Sequence, residues 1–314
     1  MNLAGLDGAT AGPVLAAGQV LAWAWDALFG EPRNALHPVA WLGRVLAPLG
    51  RALQALPPAR AFMAGALAWC VLAAACAGAA WAWQDQVLAA PAWLAAPLVA
   101  LVLKPMFAWR MLRDEVAAVE AALQQGVAPA RARLARLVSR DVQSMDADAL
   151  RETALQTLSE NLNDSVVAPL FWFVLAGLPG AVFYRFANTA DAMWGYRGPW
   201  EWAGKWAARA DDVLSWLPAR LTGLALAAPC LLRRPRQWRV LAAQAALTPS
   251  PNGGWPMAAL ALRLGVRLRK PGVYALNAAA PSPDAGALAR GLRCCAALAW
   301  GMALAAVLML AVQP

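Results

Sequence analysis

Apolar residues run along this chain in stretches longer than a soluble core needs, separated by short polar segments. A helix that crosses a bilayer needs roughly 17–25 such residues. Four stretches meet that length and are predicted as full spans, at about 13–29, 61–82, 91–109 and 294–312. Two more, about 166–183 and 213–232, are long enough but interrupted. Pro169 and Pro179 break the first; Pro218, Arg220 and Pro229 break the second. Irregular backbone is tolerated at membrane depth where protein surrounds it. These two are therefore predicted as broken or re-entrant helices. The expected fold class is all-α: a polytopic integral membrane protein with about four full spans, two embedded segments and cytoplasmic helical segments, forming one membrane domain over 1–314.

The polar segments carry their own pattern. Residues 110–150 are predicted as a cytoplasmic helical insertion, with Arg113 to Leu137 as a hairpin punctuated by Gly126 and Pro129. From Ala149 to Asn161, Leu150, Leu155, Leu158 and Leu162 share one face, while Glu152, Gln156 and Glu160 recur four apart on another. That spacing predicts an amphipathic helix.

Basic residues orient the whole. Arg33, Arg44, Arg51 and Arg60 follow the first span, Arg110 and Arg113 the third, and Arg290 and Arg293 precede the last. The link with Asp85 carries no Lys or Arg. Lys and Arg stay on the cytoplasmic side, so both termini and the Asp85 link are expected outside. Were the two broken segments ordinary spans, Arg185, Arg197, Lys205 and Arg209 would face outward, against that rule. The segment from Tyr184 to Asp212 is therefore predicted to be cytoplasmic, on the same side as Glu160 and completing one site with it. Residues 1–12 lack a basic leading region, so no cleavable signal is expected.

Composition sharpens this reading. Charged residues make up 14% of the chain, against about 25% in soluble domains, and hydrophobic ones 61%. The net charge of +9 sits on arginines flanking apolar runs, and not on one basic stripe, so no nucleic-acid partner is expected. Five cysteines form no CxxC pair, which disfavours a disulfide framework or a zinc site. With His37 the only histidine, any metal must be held by oxygen, which suits magnesium.

Four polar constellations stand out. The first is Asp26…Gly30-Glu31-Pro32-Arg33…His37-Pro38, which could also be a plain turn with Glu31 paired to a nearby Arg. The second is Ser139-Arg140-Asp141 with Glu160-Asn161-Leu162-Asn163-Asp164-Ser165. Its side-chain oxygens suit magnesium held with a nucleotide, or Asn163 or Asp164 caps the next helix. The third joins Arg185, Asn188, Asp191, Gly195-Tyr196-Arg197, Lys205, Arg209, Asp211, Asp212 and Pro218-Ala219-Arg220-Leu221-Thr222. Alternating charges beside membrane segments are costly unless paired or ligand-bound; a solvated face of ion pairs is the plainer alternative. The fourth, Thr248-Pro249-Ser250-Pro251-Asn252-Gly253-Gly254-Trp255-Pro256, could cradle a phosphate, though its spacing is not that of a P-loop. Lys104, inside the third span, is expected to snorkel to the interface.

In order and spacing, from about Asp26 to Tyr274, these motifs resemble the CobD/CbiB family, the adenosylcobinamide-phosphate synthases; Leu264-Gly265-Val266-Arg267-Leu268 closes the set. Departures fall at Ser159 and Leu162, at Asn163-Asp164-Ser165, at Gln244 to Leu247, and at Arg269-Lys270 in place of a Gly-Gly pair. The resemblance implies an ATP- and Mg2+-dependent ligase in the cell inner membrane, its active site facing the cytoplasm. It joins adenosylcobyric acid to aminopropanol or its phosphate. It further implies Glu160, Asp164, Asp191 and Asp212 as catalytic, and Glu160, Asn161, Asp164, Asn188 and Asp191 as metal ligands. Nucleotide contacts fall to Arg140, Asn161, Arg185, Asn188, Lys205, Arg209, Arg220 and Asn252, and substrate contacts to His37, Arg197 and Asp211. The implied partners are the corrinoid, the amine, the lipid bilayer and other cobalamin-assembly membrane enzymes. The rivals are a non-catalytic AmpE-like sensor and a transporter.

Overall fold

The computed structural model describes residues 11–313, so residues 1–10, on which the expectation of no signal mostly rests, lie outside it. It is an all-α polytopic membrane protein. In chain order the helices are α1 (Ala11–Phe29), α2 (Pro38–Gln54), α3 (Pro58–Leu88), α4 (Ala92–Leu103), α5 (Trp109–Leu123), α6 (Val127–Leu134) and α7 (Ala147–Leu162). They continue as α8 (Ala168–Trp194), α9 (Lys205–Leu214), α10 (Trp216–Arg233), α11 (Gln237–Ala245), α12 (Gly254–Leu264) and α13 (Ala285–Ala311). A short antiparallel hairpin joins β1 (Leu268–Lys270) to β2 (Tyr274–Leu276), with Leu268 opposite Leu276.

Among the described residues, the helical stretches Pro58–Leu88, Ala92–Leu123, Ala147–Trp194 and Ala285–Ala311 are long and apolar enough to cross a membrane. The pair α9 and α10 adds a fifth if taken as one span. The predicted first span forms as the 19-residue α1 but falls outside that set. Pro13, Gln19 and Asp26 dilute its apolar character.

The chain divides into two compact units. The first holds residues up to 108, 168–214 and from 302 onward; the second holds 109–167 and 215–301. In the first unit, α1 lies along α4, and α8 packs on α2, α3 and α9. Close approach is possible because Gly18 faces Val99; a Cβ there would come within 2.5 Å of Val99 Cγ1. The core gathers Leu46, Leu53, Trp69, Phe186, Ala190 and Trp194. Trp194 donates its indole N–H to the Leu46 carbonyl at 3.1 Å, so its polar edge is satisfied where it is buried.

Helix α8 shows why the proline-bearing run is broken. The break falls at Ala176 (φ −143°, ψ 18°) and Gly177 (φ 63°, ψ −150°), just before Pro179. Proline has no N–H and its ring crowds the carbonyl four residues back, which opens the preceding turn. Gly177 takes a conformation essentially reserved for glycine. The N–H of Leu178 donates to Gln84 Oε1 of α3 at 2.7 Å, so the freed backbone donor is not left bare in an apolar setting. Pro169 makes no such break. It follows a π-helical turn at Asn163–Val167, where the wider winding accommodates a missing N–H. Pro218 sits in the first turn of α10, where no donor is needed.

Replacing Gly177 by alanine is expected to cost about 1–3 kcal/mol from backbone strain. The new Cβ would also clash with Gln84 Oε1. Thermal unfolding in detergent measures it. Gln84→Leu should lose a comparable amount by orphaning the Leu178 donor.

In the second unit, α12 packs on α7, α10 and α11, and α5 packs on α6 and α7. The predicted hairpin forms as α5 and α6, turning at Gly126 with φ 134°. Helix α7 corrects the amphipathic expectation. Leu150, Leu155 and Leu158 are buried as foreseen, but so are Glu152 and Gln156 on the other face. That face is enclosed by protein partners and is not solvated.

Candidate functional site

Each unit carries a polar cluster. In the first, Lys104 ends α4 and is fully buried, which overturns the expectation that it snorkels. Its Nζ lies 3.1 Å from Asp26 Oδ1 and 2.6 Å from Glu31 Oε1, and donates to the Phe107 carbonyl at 3.3 Å. Two carboxylates bind the cation more strongly than a short excursion to water would. Glu31 pairs with Lys104 and His37, and with no Arg among the described residues; His37 Nε2 stands 3.0 Å from Glu31 Oε2. His37 Nδ1 in turn accepts from the Val39 N–H at 3.2 Å, so the ring caps α2. That fixes the tautomer: Nδ1 is the acceptor and Nε2 carries the proton toward Glu31.

Burial pushes the Glu31 carboxyl up, but the His37 hydrogen bond and the Lys104 charge outweigh it and hold it below its ordinary 4.5. A lowered folded value stabilises the fold above pH 4.5 and loses that contribution as pH falls through the folded value. Acid titration of the melting temperature should therefore fall less steeply in Glu31→Gln than in the parent protein.

The Lys104–Met106 turn also anchors the neighbouring group of the same unit. Arg185 donates its Nε–H to the Met106 carbonyl at 2.8 Å and its Nη1–H to Asn188 Oδ1 at 3.3 Å. Asn188 Nδ2 donates to Asp211 Oδ1 at 3.3 Å. Asp191 lies one turn beyond Asn188 on α8, and Asp212 is close to Arg209 on α9. Lys205 sits 3.5 Å from Glu201 and 4.3 Å over the Trp202 ring. Arg197 is exposed in the connection from α8 to α9. Of the residues expected here, Arg185, Asn188 and Asp211 form one hydrogen-bonded chain.

The second unit's cluster is built on α7. Glu152 is fully buried and saturated. Its Oε1 accepts from Arg267 Nη2 at 3.2 Å and faces Arg269 Nε at 3.3 Å, while Oε2 accepts the Arg269 backbone N–H at 2.7 Å. One turn on, Gln156 donates to the Arg269 carbonyl at 2.9 Å and accepts from Arg140 Nη2 at 3.2 Å and from Tyr274 Oη at 3.0 Å. These two side chains pin the β-hairpin to α7.

Glu160, one more turn along the same face, is different. It is half-buried and makes no hydrogen bond or ion pair with any described residue. Arg140 and Lys270 act on it electrostatically. Arg140 keeps Nη1 buried without a hydrogen-bond partner. Burial first, then the Glu160 charge, pushes the Tyr274 phenol above its ordinary 10.0, so it remains a hydrogen-bond donor. Gly253 abuts Glu160; a Cβ there would stand 2.9 Å from Glu160 Oε1.

The rest of the second constellation follows the helix onward. Asn161 returns its amide to the Thr157 carbonyl at 3.0 Å, which leaves its oxygen unspent. Asn163 donates to Asp164 Oδ1 at 2.8 Å and accepts from Thr222 Oγ1 at 3.0 Å. Asn163 stands at the C-terminal end of α7, where the chain winds on through the π turn without a separate start to the next helix. Arg220 lies 4.0 Å over the Trp216 ring and donates to Asn252 Oδ1 at 3.0 Å and the Pro251 carbonyl at 3.3 Å. Ser250 Oγ accepts the N–H groups of Asn252 and Gly253, which fixes the turn into α12. Among the described residues no three His, Cys, Asp or Glu side chains converge as a metal cluster.

The sequence marked Lys270 only as a departure from the family and Tyr274 only as the end of the matching stretch, and Glu152 and Gln156 only as a helix face. The signal for all four was the four-residue spacing of Glu152, Gln156 and Glu160, together with the basic pair Arg269-Lys270.

Comparison with known proteins gives the family. A family model described as CobD/Cbib protein matches residues 19–310. The chain is 39% identical over 297 residues to the cobalamin biosynthesis protein CobD of Rhodobacter capsulatus, covering 89% of this chain and 90% of that protein. It is 38% identical over 294 residues to the probable cobalamin biosynthesis protein CobD of Thermococcus kodakarensis, covering 93% and 95%. It is 40% identical over 252 residues to the cobalamin biosynthesis protein CobD of Stutzerimonas stutzeri, covering 79% and 80%. No solved structure matches the chain. With nearly the whole length matched, and Glu160, Arg220 and the Ser250–Gly254 turn gathered within one unit, the chain belongs to the CobD/CbiB protein family.

Proposed function

We propose that this protein works in cobalamin biosynthesis as an amide-forming ligase. It would join a propionate carboxylate of adenosylcobyric acid to aminopropanol or its phosphate, at the expense of ATP. The observation that carries this reading is the contrast on α7. Glu152 is fully paired, whereas Glu160 is unspent beside the unspent Nη1 of Arg140. A structural carboxylate is saturated; a carboxylate and a guanidinium held ready without partners suit a ligand carrying both metal and phosphate.

The donor set fits a nucleotide-bound magnesium ion. Mg2+ keeps several waters and needs one or two protein carboxylates besides phosphate oxygens. Glu160, Asp164 and the Asn161 oxygen would hold it, and when bound it would neutralise phosphate charge. Arg140 and Lys270 would bind phosphate oxygens, and Arg220 with Asn252 would order the Ser250–Gly254 turn against the nucleotide. In the first unit, Arg185, Asn188, Asp191, Asp211 and Asp212 are assigned to ligand binding and proton handling on the same reading, with Lys205, Arg209, Arg197 and His37 as further contacts.

The reaction balances in two steps. A propionate oxygen bonds to the γ-phosphorus as the bond to ADP breaks. The amine nitrogen then attacks the acyl carbon, and phosphate leaves with the amine proton. Fixed cations face charge that develops on the transferring phosphoryl group. ATP is cytoplasmic, so the site opens on that face of the inner membrane. An AmpE-like sensor would have no use for the unspent Glu160. The test is purified protein with adenosylcobyric acid, ATP, Mg2+ and either amine, read by mass spectrometry of the corrinoid. A mass gain of one aminopropanol (phosphate) with ADP release supports the reading; unchanged corrinoid with both amines refutes it.

A further inference from the structure

A partly open cavity of about 650 Å3 lies within the first unit, with Lys104 and Met106 of the polar chains described above in its wall. Its walls include Trp25 of α1, Pro32 and Pro38 beyond it, Trp41 of α2, Trp83 of α3 and Leu101 of α4. Lys104 is the one charged residue in the lining, and its ammonium is committed to Asp26, Glu31 and the Phe107 carbonyl. Two lining tryptophans turn their N–H groups onto backbone, Trp41 to Ala35 at 2.8 Å and Trp83 to Leu98 at 3.3 Å. What remains for an occupant is aromatic and aliphatic surface.

That chemistry selects among ligands. A corrinoid rimmed with amides, or a nucleotide, would leave polar groups without partners here, and each would cost desolvation energy. A hydrocarbon chain loses nothing. The cavity is walled by α3 and α4, which belong to membrane-length helical stretches, so hydrocarbon is the solvent at hand.

Charge at the rim adds a headgroup. Arg33 directly follows the lining residue Pro32, and Arg44 lies one turn of α2 beyond the lining residue Trp41. Both are exposed, and neither has an ion-pair partner among the described residues. Helix α2 also exposes Trp41 and Val45 beside Arg44, the composition of a helix lying in a membrane interface. Unpaired arginines at that depth attract anionic lipid headgroups.

We propose that this cavity holds one acyl chain of an anionic phospholipid from the surrounding bilayer, with the lipid phosphate against Arg33 and Arg44. The site is separate from the Glu160 cluster, although His37, named above as a further contact, lies between the lining residues Leu36 and Pro38; its test needs no catalysis. Native mass spectrometry of the full chain in detergent, with phosphatidylglycerol and phosphatidylcholine added in competition, reads the retained lipid directly. One phosphatidylglycerol per chain is expected, retained in preference to phosphatidylcholine. Ala79→Trp, which fills the cavity from an exposed position on α3, should abolish retention. So should Leu36→Trp, which serves if the first variant fails to fold; Leu304→Trp, on the exposed face of α13, should not. The pair Arg33→Ala and Arg44→Ala should lower the headgroup preference roughly tenfold or more while a lipid is still retained. Unchanged retention in the cavity-filled variants overturns the proposal, as does a headgroup preference untouched by removing both arginines. Displacement of the lipid by the corrinoid, one for one, would also overturn it and assign the cavity to substrate.

Discussion

Glu160→Gln is expected to cut amide formation by roughly two to three orders of magnitude while leaving the fold as stable as before. The separation follows from what Glu160 touches. It makes no hydrogen bond or ion pair with any described residue, so no folded-state bond is lost when its charge is removed. Arg140 and Lys270 lose a nearby negative charge, but both can be neutralised by bound phosphate. Glutamine has the same size and keeps one oxygen, yet it cannot supply the charge that a nucleotide-bound magnesium ion needs. Eight residues earlier on the same face, Glu152→Gln should do the reverse. Glu152 is fully buried between Arg267 and Arg269, and neutralising it leaves two guanidinium groups short of an acceptor. Breaking a buried ion pair from one side costs about 3–5 kcal/mol. Turnover of corrinoid with ATP and Mg2+, paired with melting in detergent, distinguishes the two variants. Near-normal turnover in Glu160→Gln would remove this carboxylate from the chemistry, whatever the fate of Glu152.

The contrast between these two glutamates also shows what the sequence can carry. Period and spacing place Glu152, Gln156 and Glu160 on one face of a helix, because residues four apart in a helix always share a face. They do not say whether that face meets water, another helix or a ligand. Here the answer comes from the β-hairpin, whose Arg269 lies 117 residues away in sequence from Glu152. Length and composition marked the spans predicted at about 61–82, 91–109 and 294–312, whereas the one at 13–29 forms a helix that falls outside the membrane-length set. The position of the break in α8 was not so marked. Proline marks where a helix can open, and two prolines offered two places. The choice depended on Gln84, from another helix, being there to receive the Leu178 N–H, and on a π turn relieving Pro169. Lys104 was misjudged for a related reason. A single lysine near the end of an apolar run ordinarily reaches for the interface, and its partners Asp26 and Glu31 stand more than 70 residues before it. A lone aspartate in one run and a lone lysine in another were the available hint, because each is costly in a membrane unless it meets the other.

Lys104→Met is the second large effect, and it should be a loss of fold. Methionine keeps the length of the stem but removes the charge, leaving Asp26 almost completely buried with its carboxylate facing an apolar side chain. Removing one partner of a buried pair costs about 3–5 kcal/mol, because the remaining charge loses its counter-ion where solvent cannot replace it. Glu31 is less exposed to this loss, since His37 still holds its second oxygen at 3.0 Å. The expected result is poor insertion or a strongly lowered melting temperature in detergent. The decisive variant is the double change Lys104→Met with Asp26→Leu. It removes both ends of the most deeply buried pair, and apolar replacement of both partners is often neutral or stabilising. Melting temperature should therefore recover most of the loss. If the double variant is as unstable as Lys104→Met, then Lys104 acts mainly through Glu31 and the Phe107 carbonyl, and the Asp26 pair contributes little. If Lys104→Met alone melts like the parent protein, the buried triad is not what holds α1 to α4.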